Sequence, residues 1–299
     1  MPIAAIDIGT NSARLLVTDD DGRELERTMR ITRLGQGVDS FGALHPEAVG
    51  RTLAVLTEYG QRARELGARR IRAAATSAAR DAGNRDEFFE AAERALGVRP
   101  ELLSGEEEAR LSFRGATSEL QGSEGPFLVV DIGGGSTEFI VGDGEPEAVV
   151  STRMGCVRMT ERHLTDDPPT SAQLEACFAD VRRELESVRR LIDLSKVRTT
   201  IGLAGTVSAI AGLELGLREY DARRTHGSVL RRGSVESHFA RLSTANVSSR
   251  RNLLAQPERA EVIVGGTAVL VTVFREFAID SMRVSERDLL DGLAASLRV

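Results

Sequence analysis

The pattern of apolar and polar positions indicates that one arrangement of strands occurs twice along the chain. Residues 4–35 and residues 129–155 each contain an apolar segment that ends in Asp-Ile-Gly and is followed by a small polar turn. In both segments a second strand, a turn with glycine and aspartate, and a third strand ending in Arg-x-Gly come next. Such apolar segments separated by turn residues are typical of antiparallel strands. The repeat therefore predicts two domains, each containing a three-stranded antiparallel meander.

Helical periodicity follows each predicted meander. Residues 46–66 carry apolar side chains at the spacing of one helix face, and Gly67 follows as a stop signal. Asn84 and Glu87 have the spacing of a capping box, which predicts the start of a second helix. Residues 171–192 form another amphipathic stretch, which predicts a long helix after the second meander.

Short apolar segments at residues 70–75 and 200–204 predict further strands between these helices. Strands that alternate with helices are typical of layered α/β domains. The polar segment at residues 121–125 is the predicted boundary, so that an N-terminal domain covers residues 1–122 and a C-terminal domain covers residues 123–299. The final helix can still pack back on the first domain.

Length and composition fit a protein of two globular domains. The chain has 299 residues, of which 41% are hydrophobic, and its apolar runs are too short to span a bilayer. Met1 leads directly into a strand, so no signal peptide is expected, and the two cysteines provide neither a disulfide scaffold nor a zinc motif. The net charge of −6 argues against a general nucleic-acid binder. We expect a cytoplasmic protein without nucleic-acid or membrane partners.

Arginine supplies nearly all of the positive charge, because Lys196 is the only lysine among the 39 basic residues. One interpretation is the codon usage of a GC-rich genome. The other is a track of arginines for a polyanion, since guanidinium groups bind phosphate in a bidentate manner. Composition does not separate these two interpretations.

The first candidate site is the turn Asp7-Ile-Gly-Thr-Asn-Ser12, which follows the first predicted strand. Its small polar residues offer backbone N–H groups and hydroxyls to an anion, and Asp7 is placed at the strand end to hold a metal. An ordinary tight turn needs similar residues. This motif by itself leaves both interpretations open.

The second candidate is the corresponding turn of the repeat, Asp131-Ile-Gly-Gly-Gly-Ser-Thr-Glu138. Three adjacent glycines let the backbone approach a phosphate closely. The motif lacks the lysine of a Walker A loop and does not match GxGxxG. Two acid-tipped turns in duplicated positions are expected to face each other across a cleft, and the pair is a stronger signal than either turn.

The segment Ser104-Gly-Glu-Glu-Glu-Ala-Arg-Leu111 contains three adjacent glutamates with different expected roles. With Ser104 as N-cap, Glu107 falls at N3 and completes a capping box, and Glu106 lies in the first turn, where the helix dipole favours it. Glu108 has no such role, because an apolar residue normally stands at its position and packs against the residue before the N-cap. Glu108 is therefore the candidate general base, and the alternative is a solvated glutamate.

Two weaker motifs complete the set. Residues 201–210 contain a strand, a Gly/Thr turn and the start of a helix. This segment would meet the base or sugar of a nucleotide, or it is simply a tight turn. Residues 75–80 end a short strand with hydroxyls and Arg80, which is either a phosphate clamp or a surface arginine.

Together these motifs resemble the exopolyphosphatase/guanosine pentaphosphatase (Ppx/GppA) phosphatase family over nearly the whole chain. The matching segments are DIGTNS at 7–12, ATSAAR at 75–80, SGEEEARL at 104–111, DIGGGSTE at 131–138, MGCVRMTE at 154–161, the pair His226-Gly227, and PERAEVIVGG at 257–266. The combination of SGEEEARL with DIGGGSTE is highly specific. The resemblance implies the fold of the actin–Hsp70–sugar kinase (ASKHA) superfamily, which is two actin-like, ribonuclease H-like α/β domains facing across a cleft.

The resemblance also implies roles for individual residues. Glu108 is implied as the base that activates water, and Asp131 and Glu138 are implied as ligands of Mg²⁺, for which Mn²⁺ can substitute. Asp7 is expected to join the metal side through water. The expected phosphate contacts are Gly9, Thr10, Asn11, Ser12, Arg80, Gly133, Gly134, Gly135 and Ser136.

Two features depart from the family pattern. Glu261 stands where the family usually has aspartate, which is a conservative change. The sequence ends at Val299 without the C-terminal HD-type helical domain that long members use to bind extended polyphosphate and to dimerise. We therefore expect a preference for short polyphosphate, and a homodimer like that of the long members is an open question.

The expected reaction is hydrolysis of the terminal phosphoanhydride of inorganic polyphosphate by a water molecule that Glu108 activates. Mg²⁺ would offset charge on the transferred phosphoryl group. Guanosine pentaphosphate is the alternative substrate within the same family. Two functions of other kinds stay open at this stage: a kinase or ATPase of the same superfamily, and a non-enzymatic sensor of a phosphorylated alarmone.

Overall fold

Residues 1–120 and 124–298 are described by the computed structural model, and contacts within the chain divide it into two units. Unit 1 comprises Met1–Gly115 together with Asp288–Val299, and unit 2 comprises Ala116–Arg287. The domain division predicted between residues 122 and 123 falls in the segment 121–123, which lies outside the described residues. The last part of the chain, with the final helix, belongs to unit 1.

Unit 1 is built on a mixed five-stranded sheet. Its strands are β1 (Ile3–Ile8), β2 (Ser12–Thr18), β3 (Glu24–Ile31), β4 (Arg70–Ala75) and β5 (Glu101–Leu102). They are arranged in the order β3-β2-β1-β4-β5, in which the first three strands are antiparallel and β1, β4 and β5 are parallel. The helices are α1 (Val38–Phe41), α2 (Pro46–Glu65), α3 (Ser77–Asp81), α4 (Arg85–Leu96), α5 (Gly105–Thr117), whose C-terminal end enters unit 2, and α13 (Leu289–Ser296).

The central strand of unit 1 is buried on both faces, because helices cover each side of the sheet. Successive side chains of a strand point to opposite faces. Accordingly Ile6 belongs to a core with Leu56 of α2 and Phe88 of α4, whereas Ala5 belongs to a second core with Leu293 of α13. All six residues of β1 are buried, which explains why this segment is continuously apolar up to Asp7.

Unit 2 contains a six-stranded sheet. Its strands are β6 (Phe127–Ile132), β7 (Thr137–Asp143), β8 (Glu145–Thr152), β9 (Thr199–Leu203), β10 (Val229–Arg231) and β11 (Ser281–Val284). Its helices are α6 (Cys156–His163), α7 (Ser171–Leu191), α8 (Ala204–Glu214), α9 (Ala222–Thr225), α10 (Arg232–Thr244), α11 (Val247–Leu253) and α12 (Ile263–Glu276), with a 3₁₀ turn at Pro257–Arg259.

Helix α12 lies at the centre of the helical layer of unit 2. All of its residues from Ile263 to Phe274 are buried, which is typical of a helix that is apolar all round and surrounded by other elements. It packs against α6, α7, α8 and α10. In the described part of the chain, neither this helix nor any other is long and apolar enough to cross a membrane.

The two sheets repeat one topology. Unit 2 has the order β8-β7-β6-β9-β11-β10, in which β8, β7 and β6 are antiparallel and β6, β9 and β11 are parallel. This matches the order in unit 1, with β10 added at the edge antiparallel to β11. The predicted repeat and the predicted fold class of two ribonuclease H-like α/β units are confirmed.

Most local predictions are also confirmed. The helix predicted at 46–66 is α2, after which Gly67 adopts a left-handed conformation with φ of 79°. The helix predicted at 171–192 is α7, which opens with a capping box formed by Thr170 and Gln173. The strand predicted at 70–75 is β4, and the one predicted at 200–204 is β9.

The capping box predicted for Asn84 is wrong. Helix α4 does start at Arg85, but no side chain caps it. The amide of Asn84 instead accepts from the N–H of Leu44 at 2.8 Å and donates to the carbonyl of Leu44 at 3.0 Å. A primary amide satisfies a donor and an acceptor of a neighbouring loop at once, and sequence spacing does not reveal that loop.

Candidate active site

An equivalent backbone hydrogen bond closes each of the two Gly-rich turns. In unit 1 the N–H of Gly9 donates to the carbonyl of Ser12 at 2.9 Å. In unit 2 the N–H of Gly133 donates to the carbonyl of Ser136 at 3.0 Å. The turns connect β1 to β2 and β6 to β7, so the duplicated sequence folds into duplicated turns at the ends of equivalent strands.

The chain after the third strand of each meander binds the carbonyl groups at the tip of the turn. In unit 1 the N–H of Gly35 donates to the carbonyl of Thr10 at 2.8 Å, and in unit 2 the N–H of Val157 donates to the carbonyl of Gly134 at 2.8 Å. A Cβ atom on Gly155 would lie 2.5 Å from that Gly134 oxygen, so only glycine fits. The Arg-x-Gly ending of each repeat therefore packs against its own turn.

The N–H groups at the two tips are available to a ligand. Within residues 1–120 and 124–298, nothing accepts a hydrogen bond from the backbone N–H of Thr10, Asn11, Gly134 or Gly135. Successive free N–H groups in a turn form a concave site for an anion. Each turn is therefore a candidate phosphate-binding loop.

Buried polar atoms without partners mark the first turn in particular. Oδ1 of Asp7, Nδ2 of Asn11 and Oγ1 of Thr32 are buried, and none of them has a hydrogen-bond partner in the described part of the chain. Leaving a buried polar group unpaired costs about 1–3 kcal/mol, so such groups indicate where a ligand or water binds.

Arg14, opposite Asp7 on β2, holds the other oxygen of the Asp7 carboxylate. Nε and Nη2 of Arg14 donate to Oδ2 of Asp7 at 2.9 and 2.7 Å, and Nη1 donates to Oδ2 of Asp288. Burial raises the pKa of Asp7, and Arg14 acts in the opposite direction. Burial works to lower the pKa of Arg14, but the two carboxylates outweigh it and raise that pKa well above its usual value. Arg14 is thus a permanent cation.

Asp131 and Glu138 form a carboxylate pair in unit 2. They lie directly opposite each other on β6 and β7, and only 8% and 1% of their surfaces are exposed. Oγ of Ser151 donates to Oε1 of Glu138 at 2.8 Å. Two carboxylates in opposite positions repel each other, and a hard divalent cation with oxygen ligands relieves this repulsion. The pair fits a magnesium ion.

Asp7 belongs to unit 1, whereas this pair belongs to unit 2. Among the described residues, no group of three or more His, Cys, Asp or Glu side chains is arranged to hold a metal ion. The set predicted from the sequence, Asp7 with Asp131 and Glu138, therefore consists of a pair in unit 2 and a single carboxylate in unit 1. An Asp7 contact to the metal through water stays a prediction.

Helix α5 positions the candidate base. The predicted capping box is confirmed, because the N–H of Ser104 donates to Glu107 at 2.9 Å and the N–H of Glu107 donates to Oγ of Ser104 at 3.2 Å. The N–H and the hydroxyl of Ser104 both donate to the Glu107 carboxylate, and these hydrogen bonds lower the pKa of Glu107. Glu106 pairs along the exposed helix face with Arg110 at 2.8 Å. Glu108 is only 9% exposed, so it is not the solvated glutamate that was the alternative.

Arg80 is the partner of Glu108. Its Nη1 donates to Oε2 of Glu108 at 2.6 Å and to the carbonyl of Leu103 at 2.9 Å. The carboxylate of Glu108 is thereby fixed in orientation next to the start of α5. Arg80 was predicted as a phosphate contact, and that role stays a prediction beside the ion pair observed here.

Two arginines at these motifs, Arg14 and Arg259, were not predicted from the sequence. Arg14 has a readable signal, because it follows Asp7 by the same seven positions that separate Glu138 from Asp131. Arg259 has no comparable signal in the sequence. Its guanidinium lies against Gly205, because a Cβ atom on that glycine would lie 1.9 Å from Nη1 of Arg259. Helix α8 starts at Ala204 directly after β9, so the predicted strand and helix are confirmed, and nucleotide binding at this segment stays one of the two interpretations.

The chain is similar to proteins of known families over its whole length. It matches the Ppx/GppA phosphatase family over residues 16–298. It is 43% identical to Exopolyphosphatase 2 of Mycobacterium tuberculosis, over 99% of this chain and 98% of that protein. It is 32% identical to a guanosine-5'-triphosphate,3'-diphosphate pyrophosphatase of Vibrio vulnificus, over 97% of this chain, and spans 58% of that protein's length.

A solved structure has the same fold. The crystal structure of an exopolyphosphatase-like protein superposes with a TM-score of 0.96 at 38% identity, and the alignment covers 100% of this chain and 99% of that one. The similarity in sequence and in structure therefore extends over both units. Because these similarities extend along the whole chain, this protein belongs to the Ppx/GppA phosphatase family.

Proposed function

We propose that this protein hydrolyses the terminal phosphoanhydride of inorganic polyphosphate and releases orthophosphate. The observation that carries the proposal is the duplicated Gly-rich turn, whose tip offers free backbone N–H groups in each unit. The similarity to Exopolyphosphatase 2, at 43% identity over nearly the full chain, supports polyphosphate as the substrate.

The backbone of the turns would bind phosphate oxygens. In phosphoryl transfer, charge is spread over the oxygens of the transferred group, and catalysis consists largely of positioning and electrostatic stabilisation. N–H groups of Thr10, Asn11, Gly134 and Gly135 are held by closed turns, so they need no reorganisation when charge develops. Donors fixed in advance in this way lower the barrier more than mobile ones.

Glu108 would take the proton of the attacking water. It is buried, and its orientation is fixed by the hydrogen bond of 2.6 Å from Arg80. A positioned general base contributes roughly 10²–10⁴-fold in rate. Glu106 and Glu107 are engaged in a helix-face pair and a cap, so neither is free for this role.

Asp131 and Glu138 would hold Mg²⁺. When bound, the ion supplies positive charge that offsets the charge of the phosphate oxygens. Ser151 would keep the Glu138 carboxylate in one orientation through the hydrogen bond at Oε1, as partners of ligating carboxylates commonly do. Both carboxylates are hard oxygen donors, and this favours Mg²⁺ or Mn²⁺ over softer metals.

Guanosine pentaphosphate is the second candidate substrate. The observation that favours it is the 32% identity to the guanosine-5'-triphosphate,3'-diphosphate pyrophosphatase, which covers both units of this chain. Such a substrate requires a pocket for the base. The chain has no tryptophan, and no aromatic residue occurs in the turn at 202–207, so the sequence provides no stacking platform there.

A phosphate-release assay tests the proposal. Short polyphosphate, long polyphosphate, guanosine pentaphosphate and ATP are each supplied with Mg²⁺ or with EDTA. We expect release from polyphosphate with Mg²⁺, none with EDTA, and recovery when Mg²⁺ is restored. Release from guanosine pentaphosphate alone would replace the substrate, and turnover of ATP alone would indicate a kinase or ATPase. The preference for short chains, a homodimer and a cytoplasmic location stay predictions.

A further inference from the structure

Backbone N–H groups at the start of helix α6 hold the first two glycine carbonyls of the second turn. The carbonyl of Gly133 accepts from the N–H of Cys156 at 2.9 Å. The carbonyl of Gly134 accepts from the N–H groups of Val157 and Arg158 at 2.8 and 3.1 Å. In a planar trans peptide the N–H points opposite to the C=O. A carbonyl held by α6 therefore directs the N–H of the following residue away from α6.

The third carbonyl of the turn, that of Gly135, is held by a side chain. Nε of Arg158 donates to it at 2.7 Å, and only 5% of the surface of Arg158 is exposed. The next N–H of α6, that of Met159, donates to the carbonyl of Gly155 at 2.9 Å as the first hydrogen bond of the helix itself. By the same peptide geometry, Arg158 directs the N–H of Ser136 away from α6.

The first turn reaches the same arrangement with backbone groups alone. Asn11 stands at the position equivalent to Gly135. Its carbonyl accepts from the N–H groups of Thr32 and Arg33 at 3.1 and 3.0 Å. The side chain of Arg158 therefore does in the second turn what two backbone N–H groups do in the first.

We propose that Arg158 is a positioning residue of the second turn, and that its hydrogen bond to the carbonyl of Gly135 aims the N–H of Ser136 at the bound phosphate chain. A donor that is fixed before the substrate binds stabilises developing charge without reorganisation. The inference rests on the proposed function for the identity of the anion. It assigns the role of Arg158 to its Nε–H group and not to its charge.

Two substitutions separate the hydrogen bond from the charge. In Arg158→Gln the amide nitrogen Nε2 is as many bonds from Cα as Nε of arginine is, so it can donate to the same carbonyl. In Arg158→Met a methyl group stands at that place and donates nothing. Neither variant has the terminal guanidinium nitrogens, so the contacts of those nitrogens are lost equally in both.

Isothermal titration calorimetry with tripolyphosphate in EDTA measures anion binding without turnover. We expect the dissociation constant to rise at least about fivefold in Arg158→Met and to stay within about twofold in Arg158→Gln. Phosphate release with Mg²⁺ should follow the same order. We expect kcat/KM to fall at least about tenfold in Arg158→Met, since loss of one fixed donor lowers rates by about 10²–10³-fold.

Arg250→Met is the matched control. Arg250 is another buried arginine of unit 2, and its Nε also donates to a backbone carbonyl, that of Leu242 at 3.0 Å. Because neither residue belongs to the turn, Arg250→Met should lower stability in urea but keep the dissociation constant and kcat/KM of the folded protein within about twofold.

The outcomes distinguish this inference from the proposed function. Equal losses in Arg158→Gln and Arg158→Met, or unchanged binding in Arg158→Met, would overturn the inference and leave the proposed function standing. A protein that binds tripolyphosphate but releases no phosphate would remove the proposed function, and the calorimetric comparison would still decide the role of Arg158. No binding of tripolyphosphate by the unmodified protein would overturn the inference.

Nuclear magnetic resonance decides the case in which Arg158→Met does not fold. With ¹⁵N-serine labelling, the amide resonance of Ser136 should shift on addition of tripolyphosphate in the unmodified protein and in Arg158→Gln alike. A folded Arg158→Gln protein in which this resonance no longer responds would contradict the assignment to the Nε–H group.

Discussion

Glu106, Glu107 and Glu108 follow one another at the start of α5, yet each has a different environment. Glu106 pairs along the exposed helix face, and Glu107 completes the cap with Ser104. Glu108 turns inward and accepts from Arg80. Adjacent helix positions are rotated by about 100° from one another, so three identical residues reach solvent, the helix end and the interior.

The substitution Glu108→Gln is expected to lower kcat at least about a hundredfold, because a general base typically contributes roughly 10²–10⁴ in rate. KM for polyphosphate should change little, since Glu108 is not a phosphate contact in the proposed function. Steady-state phosphate release measures both constants.

Glu106→Gln is the matched control, since it makes the same chemical change two residues away on the exposed face. It should keep kcat within about twofold, because surface pairs of this type contribute little. A loss of activity in Glu107→Gln with full activity in Glu108→Gln would move the base by one residue and would contradict the capping argument.

The segment that follows each third strand packs closely against the turn of its own unit. In unit 2 this is Gly155, which precedes α6 and lies against the carbonyl of Gly134. Cys156 and Val157 donate to the same turn at 2.9 and 2.8 Å. The start of α6 therefore holds the second turn in its shape.

Gly155→Ala should distort the second turn and lower both stability and activity. The added Cβ would lie 2.5 Å from a backbone oxygen, and relieving such a contact costs typically about 1–3 kcal/mol. Urea denaturation and phosphate release measure the two effects.

Gly50→Ala is the control, because nothing lies within 4 Å of a Cβ at this position in α2. It should stabilise the protein by about 0.5–1 kcal/mol; an equal loss in both variants would refute the steric argument.

Asp180 connects α7 to α6 within unit 2. Its Oδ2 lies 2.8 Å from Nη1 of Arg162 and 2.8 Å from Nε2 of His163, and Arg183 contacts Oδ1. Burial works to raise the pKa of Asp180, but the hydrogen bonds from His163 and Arg162 and the neighbouring positive charges outweigh it, so the pKa is lowered. The carboxylate stabilises the contact of the two helices as long as it is ionised.

Asp180→Asn is expected to reduce the free energy of unfolding by about 1–3 kcal/mol at neutral pH, because Arg162, His163 and Arg183 all lose their shared carboxylate. The loss stays moderate because Arg183 is largely exposed and its pairing is screened by water. A carboxylate with a lowered pKa contributes fully above its ordinary pKa and loses that contribution as the pH falls through the folded value. The difference between the two proteins should therefore shrink below about pH 4. Urea titrations at several pH values check this, and a constant difference down to acidic pH would contradict it.

At the scale of the whole molecule, the last helix completes the unit in which the chain began. Leu293 of α13 is fully buried in one core with Ala5 of β1 and Leu16 of β2. Glycine at position 292 allows this approach, because a Cβ there would lie 2.2 Å from the carbonyl oxygen of Leu111. Unit 1 is therefore built from two segments that lie far apart in the sequence.

Leu293→Ala should destabilise the protein by about 2–5 kcal/mol, because it leaves a cavity in the second core of unit 1. Thermal and urea denaturation measure the loss. Leu191→Ala provides the control, since Leu191 is 67% exposed and the same substitution there should change stability by less than about 0.5 kcal/mol. Equal effects at the two positions would show that α13 does not contribute to the core.

The sequence by itself determined the features that depend on neighbours along the chain. Strand periodicity and turn residues determined the two meanders, helical spacing determined α2 and α7, and the spacing of Ser104 and Glu107 determined the cap of α5. These predictions succeeded because each depends on hydrogen bonds and side-chain directions within a few residues. The same locality singled out Glu108 as the glutamate without a capping role.

Tertiary structure alone decided which distant groups pair. Arg80 reaches Glu108 across 28 positions, and Arg14 reaches Asp288 across 274 positions, distances over which sequence patterns contain no information. The same limit explains the error at Asn84, whose amide found a loop 40 positions away in place of its own helix. Charge partners depend on the packing of strands and helices, so the ion pairs of Glu108 with Arg80 and of Asp7 with Arg14 are evident only in the folded structure.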